Sequence, residues 1–222
     1  MKVFVCILIL LTNGLCSAGT FTYGRGTDDA DDNYIGNLAD TSSNHGNDFV
    51  MFVRPGSIEQ KTMFRFSAID SDISGETIDS ARLTFTIRFT VEDHTIYAHR
   101  IDPDRDWVEN QTTWNVYKTS NDWGTAGASN TTTDILATAT DSENAYDNGS
   151  DYDVVFDVVD DVQAWADGDD NQGWLLIAGT PGTAQGGTQI WGANWFSSPL
   201  RPYLEIWSTT PTASSGQVII IE

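Results

Sequence analysis

Nucleophilic catalysis needs a hydroxyl or thiol held beside a base, and this chain is poorly supplied with bases. It carries three histidines, His45, His94 and His99, and two cysteines, Cys6 and Cys16, both close to the N-terminus. No Gly-x-Ser-x-Gly elbow, no His-Glu-x-x-His metal helix and no phosphate-cradling glycine loop occurs. Carboxylates are abundant, 32 acidic residues against 11 basic, so neighbouring acids arise without catalytic meaning. A two-carboxylate glycosidase stays open in principle, but the residues read as those of a non-enzyme.

Hard cations prefer oxygen ligands, and two segments offer them. TDDADDN (Thr27–Asn33) supplies Asp28 and Asp31; ADGDDNQG (Ala166–Gly173) places Asp167, Asp169 and Asn171 at alternate positions. The second begins like an EF-hand loop, but Gln172 replaces the turn glycine and Ala178 the closing glutamate. A calcium site and solvated Asx-turns are equally good readings of both.

Eight tryptophans in one chain suggest flat rings that stack on sugars, with polar neighbours reading hydroxyls. Trp165, Trp174 and Trp207 lie in apolar patterns and are expected in the core. Trp123, Trp191 and Trp195 border Gly- and Asn-rich loops and are the candidate stacking rings. Tyr97, His99 and Arg88 are the candidate hydrogen-bonding groups, Tyr97 and His99 sharing one strand face by their spacing of two. The stretch RDWVENQTTWN (Arg105–Asn115) brackets Glu109 with Trp107 and Trp114, but no partnered acid or nucleophile stands nearby to give Glu109 a catalytic role. Asn110, Asn130 and Asn148 each head an Asn-x-Ser/Thr triplet and are candidate glycan attachment points in a secreted chain.

The elements that must position these residues are strands. RLTFTIRF (Arg82–Phe89) alternates strictly, with Leu83, Phe85, Ile87 and Phe89 on one face and Thr84, Thr86 and Arg88 on the other. Further strands are expected at Phe49–Val53, Lys61–Phe66, Thr95–Ile101, Asp153–Val158, Gly173–Gly179, Thr188–Ala193 and Pro202–Trp207. Turn-forming clusters separate them, which predicts an all-β sandwich of two antiparallel sheets. Only one or two short helical turns are expected, foremost at Val158–Trp165, where Val158, Val162 and Trp165 share a face.

The ends differ from the middle. MKVFVCILILLTNGLCSA reads as a cleaved secretory signal over residues 1–18, its apolar run too short to span a bilayer. A mature chain without that segment has no cysteine, no membrane span and an extracellular location. One domain is expected over 19–207, then linker-like STTPTASSG at 208–216 and an apolar QVIIIE at 217–222. That last strand docks on its own sheet, begins a further segment, or is donated to a neighbouring subunit. The net charge of −21 disfavours nucleic acid and anionic surfaces as partners and suits calcium or cationic ones.

An ordered series of motifs resembles the DNRLRE-domain family, secreted modules grouped with carbohydrate-binding modules. The series runs SSNHG (Ser42–Gly46), KTMFRFSAI (Lys61–Ile69), IDSARLTFTI (Ile78–Ile87), DWVENQTTWN (Asp106–Asn115), FDVVDDVQAWADGDDNQGWLLI (Phe156–Ile177) and FSSPLRPYLEI (Phe196–Ile206). The resemblance implies a jelly-roll sandwich, often with structural calcium, and non-catalytic glycan binding, in some members associated with alginate. It also implies that Trp107 and Trp114 pack at a sandwich corner, and that Arg65 and Arg201 pair with carboxylates. Two features depart from it: no catalytic domain accompanies the module, and the negative charge opposes a polyuronate. The sequence therefore predicts a secreted, calcium-stabilised module that binds a polysaccharide without chemistry. The alternative is a structural subunit of an extracellular filament, surface layer or virion appendage, self-associating through its C-terminal strand.

Overall fold

The computed structural model describes residues 17–26, 30–38, 41–179 and 186–210. In chain order its strands are β1 (Ser17–Gly24), β2 (Ala30–Gly36), β3 (Val50–Val53), β4 (Gln60–Phe66), β5 (Thr77–Thr90), β6 (His94–Arg100), β7 (Val116–Lys118), β8 (Asn121–Asp122), β9 (Asp141–Ala145), β10 (Tyr152–Asp157), β11 (Trp174–Ala178), β12 (Thr188–Trp191) and β13 (Tyr203–Thr210). Two short helices interrupt them, α1 (Ile69–Ile73) and α2 (Val159–Ala166), with a 3-10 turn at Ser198–Leu200. The expected strands and the expected helix are all present. The C-terminal QVIIIE and the N-terminal apolar run lie outside the described residues, while Ser17 and Ala18, expected in the signal, begin β1, and residues 208–210, expected as linker, end β13.

Every strand pairing is antiparallel, and β5 organises the larger sheet. Along one edge β5 pairs β13 and then β12; along the other it pairs β10. Eight strands thus form two facing four-stranded orders, β3-β12-β5-β10 over β4-β11-β6-β9. All consecutive pairs among these eight except β6 and β9 cross from one sheet to the other, the order of a jelly-roll. β13 with β1 widens the first sheet to six strands, and β2 widens the second to five.

The core forms because the alternating apolar residues of both sheets meet between them. Phe64 on β4 and Phe85 on β5 meet at 4.5 Å between ring centroids, and Phe156 on β10 meets Phe85 edge-on at 6.0 Å. Each ring is fully buried, a contribution of about 1.5–3 kcal/mol apiece against exposure. Helix α2 closes one end by its apolar stripe: Val162 and Trp165 are buried, and Trp165 meets Trp174 of β11 at 4.7 Å. Gly173 permits the close start of β11, since its φ is +71° and a Cβ there would lie 1.9 Å from the Phe64 carbonyl oxygen.

The two outer faces of the sandwich are unlike. Across the five-stranded sheet runs the long connection from β6 to β9, whose Ile101, Trp107, Trp123, Ala128 and Ile135 pack on Ile35, Met63 and Leu175 as a second core. Buried Asp134 shapes that connection by accepting the backbone N–H groups of Gly124, Thr125 and Asn130. Among the described residues no such second core covers the six-stranded sheet.

Candidate functional site

One of the two register irregularities in β5 builds the site. Ile190 of β12 pairs with Ile87 and Gln189 with Phe89, so Arg88 is an extra residue, a β-bulge. A bulge reverses the alternation beyond it. Phe89, expected in the core beside Leu83, Phe85 and Ile87, is instead 48% exposed, while Thr90 is buried. Arg88 and Phe89 thus both face outward.

They border a groove of about 520 Å³, whose opposite wall is the β9–β10 connection with Tyr146, Asp147, Asn148, Ser150 and Asp151. That wall is held at several points. The Tyr152 hydroxyl accepts the Tyr146 N–H at 2.8 Å and donates to the Tyr146 carbonyl at 2.9 Å. The two tyrosine rings stack at 4.6 Å. Burial pushes the Tyr152 phenol up from its ordinary pKa, so it stays a neutral donor. Asp147 N–H donates to Asp93, and Trp191 Nε1–H donates to Asp151 Oδ2 at 3.1 Å. At 44% exposure, Tyr146 presents its ring to solvent.

Of the residues expected to bind sugar, the structure brings three together. Trp191 stacks on Trp195 at 3.9 Å, and the Arg88 guanidinium lies 5.1 Å over the Trp191 ring. Arg88 also donates to Gln189. With one face covered by indole and the other by guanidinium, Trp191 is 8% exposed and serves as a support for the groove, not as the open platform expected of it. Trp195 is half-buried between Trp191 and the Phe196 ring, and Phe196, at 74% exposure, is the accessible end of the column.

The other expected contacts lie elsewhere. Trp123 is 4% exposed in the second core, its Nε1–H donating to the Thr113 carbonyl at 3.0 Å. The expected exposure fails because the loop around it folds back on the five-stranded sheet. Tyr97 and His99 share one face of β6, as their spacing predicts, but that face belongs to the five-stranded sheet; His99 Nδ1 lies 3.0 Å from the Leu136 carbonyl. Trp165 and Trp174 are buried as expected, and Trp207 is half-buried beneath Arg82.

The oxygen-rich segments also resolve individually. TDDADDN is only partly a loop: Asp31, Asp32 and Asn33 belong to β2, and Asp28 lies outside the described residues. Asp31 pairs with Arg65 at 2.6 Å. Asp167 ends α2 and accepts from Gln163; Asp169 pairs with Arg100; Asn171 is buried, bonded to the Phe66 carbonyl and the Gly173 N–H. Among the described residues no group of three carboxylate, imidazole or thiol side chains is placed to hold a metal ion. The attachment points differ as well: Asn110 and Asn148 are exposed, whereas Asn130 is half-buried with its Oδ1 accepting from Thr132. Asn148 stands in the groove wall itself.

Glu109 has a structural partner. Its Oε1 accepts the Asp32 N–H at 3.1 Å, and its backbone carbonyl accepts from Asn33 and Asn44. Asp32, fully buried, accepts the Ala193 N–H at 2.6 Å. Burial pushes both carboxyls up, Asp32 well above the usual carboxylate range. These acids tie β2 to two loops, and neither lines the groove. Trp107, buried, donates to the Gln172 carbonyl at 2.8 Å, and Trp114 packs on the second core, so the stretch is a packed corner.

No family model and no curated protein matches the chain. The function therefore has to be argued from the groove.

Residues missed in the sequence are Phe89, Tyr146, Tyr152 and Asp151. Tyr146 carried a usable signal: an aromatic residue set in ENAYDNGSDY, otherwise all polar or small. Phe89 carried none, because strand alternation assigns it inward and only the pairing register reveals the bulge.

Proposed function

We propose that this chain is a secreted, non-catalytic glycan-binding module that holds its ligand in the groove between the Arg88–Phe89 bulge and the Tyr146–Tyr152 wall. The carrying observation is that groove's composition. Exposed rings of Phe89 and Tyr146, which suit the apolar faces of a pyranose, flank a guanidinium and a row of Asp, Asn and Ser side chains that suit its hydroxyls. Its walls are fixed before any ligand arrives, by the tyrosine stack and by the Trp191–Asp151 bond, which lowers the ordering cost of binding. The apolar stretch at the N-terminus supports an extracellular setting, where glycans are met.

Affinity electrophoresis through gels containing soluble polysaccharides tests the reading. The protein is retarded by at least one of them, and the Phe89→Ala/Tyr146→Ala double variant, altering two exposed rings, migrates freely while keeping its far-UV spectrum. Equal retardation of both proteins would place the site elsewhere.

A further inference from the structure

The groove does not stand alone. A second depression of about 430 Å³, lined by Asp93, His94, Thr95, Asn144 and Ala145, adjoins it at the β6–β9 edge of the five-stranded sheet, and Tyr146 lines both. A third, of about 350 Å³, is lined by Phe52, Arg54 and Gln189, and Phe89 lines both it and the first. Each exposed ring thus borders two depressions. The order along the surface is fixed by these shared residues: third groove, Phe89, first groove, Tyr146, second groove. Beneath the Phe89 ring, Thr90 and Thr188 meet at 3.1 Å between buried hydroxyls, tying β5 to β12 under the junction of those two grooves.

Building on the glycan-binding reading, we propose that the three grooves form one cleft that takes an internal stretch of a neutral, linear polysaccharide. Each depression alone is within the size range of a small-ligand pocket, roughly 300–1,000 Å³. Three linked through shared exposed rings suit consecutive units of a chain better than one sugar. Both shared rings are held in place, Tyr146 by its stack on Tyr152 and Phe89 by the bulge.

The charge pattern selects the polymer class. Arg54 lines the third groove and Arg88 the first, while Asp147 and Asp151 line the first and Asp93 the second. A polyanion crossing the cleft meets carboxylates over its middle and far end, on a protein of net charge −21. A polycation meets the guanidiniums. An uncharged chain meets neither penalty and uses both kinds of group as hydrogen-bonding partners.

The test uses protein made without glycosylation, electrophoresed through β-glucan, xylan, glucomannan, pectin and alginate. Calorimetry follows with gluco-, xylo- or manno-oligosaccharides of the retained type, from disaccharide to hexasaccharide. Expected are retention by a neutral polymer and affinity that rises about tenfold or more from disaccharide to hexasaccharide. Tyr146→Ala and Phe89→Ala each shorten the length over which affinity grows. Disaccharide and hexasaccharide binding equally well, or both variants keeping the full length dependence, would overturn the extended cleft and leave the glycan-binding reading standing. Retention only by pectin or alginate would overturn the neutral class. No retention by any of the polymers would remove both readings together.

Discussion

Replacing Trp191 by phenylalanine removes one hydrogen bond and part of a buried ring. The ring still stacks on Trp195 and still lies beneath Arg88, but the donor to Asp151 Oδ2 is gone. A hydrogen bond to a charged group is worth about 1.5–3 kcal/mol when its loss strands the partner. Asp151 is exposed, so water replaces the indole and the hydrogen-bond loss falls to about 1 kcal/mol, with about 1 kcal/mol more for the smaller buried ring. The same bond fixes the groove wall, and a wall that must be ordered by the ligand costs affinity of similar size, about fivefold in Kd. Trp107→Phe is the matched control. Its acceptor, the Gln172 carbonyl, sits in a buried residue and is left without the indole, at about 1–3 kcal/mol, and the smaller ring leaves a cavity worth about 1 kcal/mol more. Urea unfolding and calorimetry with a retained oligosaccharide read both variants. Trp107→Phe is the less stable protein with native affinity; Trp191→Phe is the more stable one with weakened affinity. The opposite ranking in either measurement would refute the reasoning.

Other consequences are separately measurable. Asp32 and Glu109 have carboxyls raised by burial, so they favour the folded state while protonated. Their contribution is full below the unfolded carboxylate values near about 4 and is lost as pH rises through the raised folded values. Asp32→Asn, which keeps an acceptor for Ala193, should flatten the decline of urea stability between acidic and neutral pH, by at most about 1.4 kcal/mol per pH unit; an unchanged slope would contradict this. Tyr97→Ala with His99→Ala, on β6 but lining none of the three grooves, should change glycan affinity by less than about twofold, about 0.4 kcal/mol. Protein from a host that glycosylates Asn148 should bind at least about tenfold more weakly, because the attached glycan occupies the groove wall. Asn148→Gln should restore binding in that host, and Asn110→Gln should not.

The sheets were legible in the sequence because one face of most strands is apolar. Leu83, Phe85 and Ile87 announce β5, and Val162 and Trp165 announce α2. Strand β2 was hidden by its own chemistry: Asp31, Asp32 and Asn33 read as cation ligands, yet they are strand residues engaged by Arg65, Ala193 and Glu109. Trp123 was misjudged since glycine-rich surroundings suggest a loop tip, and only the tertiary fold shows the loop lying on a sheet. The groove was half legible. Arg88, Trp191 and Trp195 were selected by type, but Phe89 and Tyr146 depend on a pairing register and on the approach of residues 88–90, 146–152 and 191, distances that spacing does not encode.

Amide chemical-shift mapping with a retained neutral oligosaccharide tests the central claim most directly. The account predicts perturbations concentrated at residues 88–90, 146–152 and 189–191, extending to Asp93 and Arg54 as the oligosaccharide lengthens. Perturbations confined to Tyr97, His99 and the 101–136 connection would put the site outside all three grooves and contradict it.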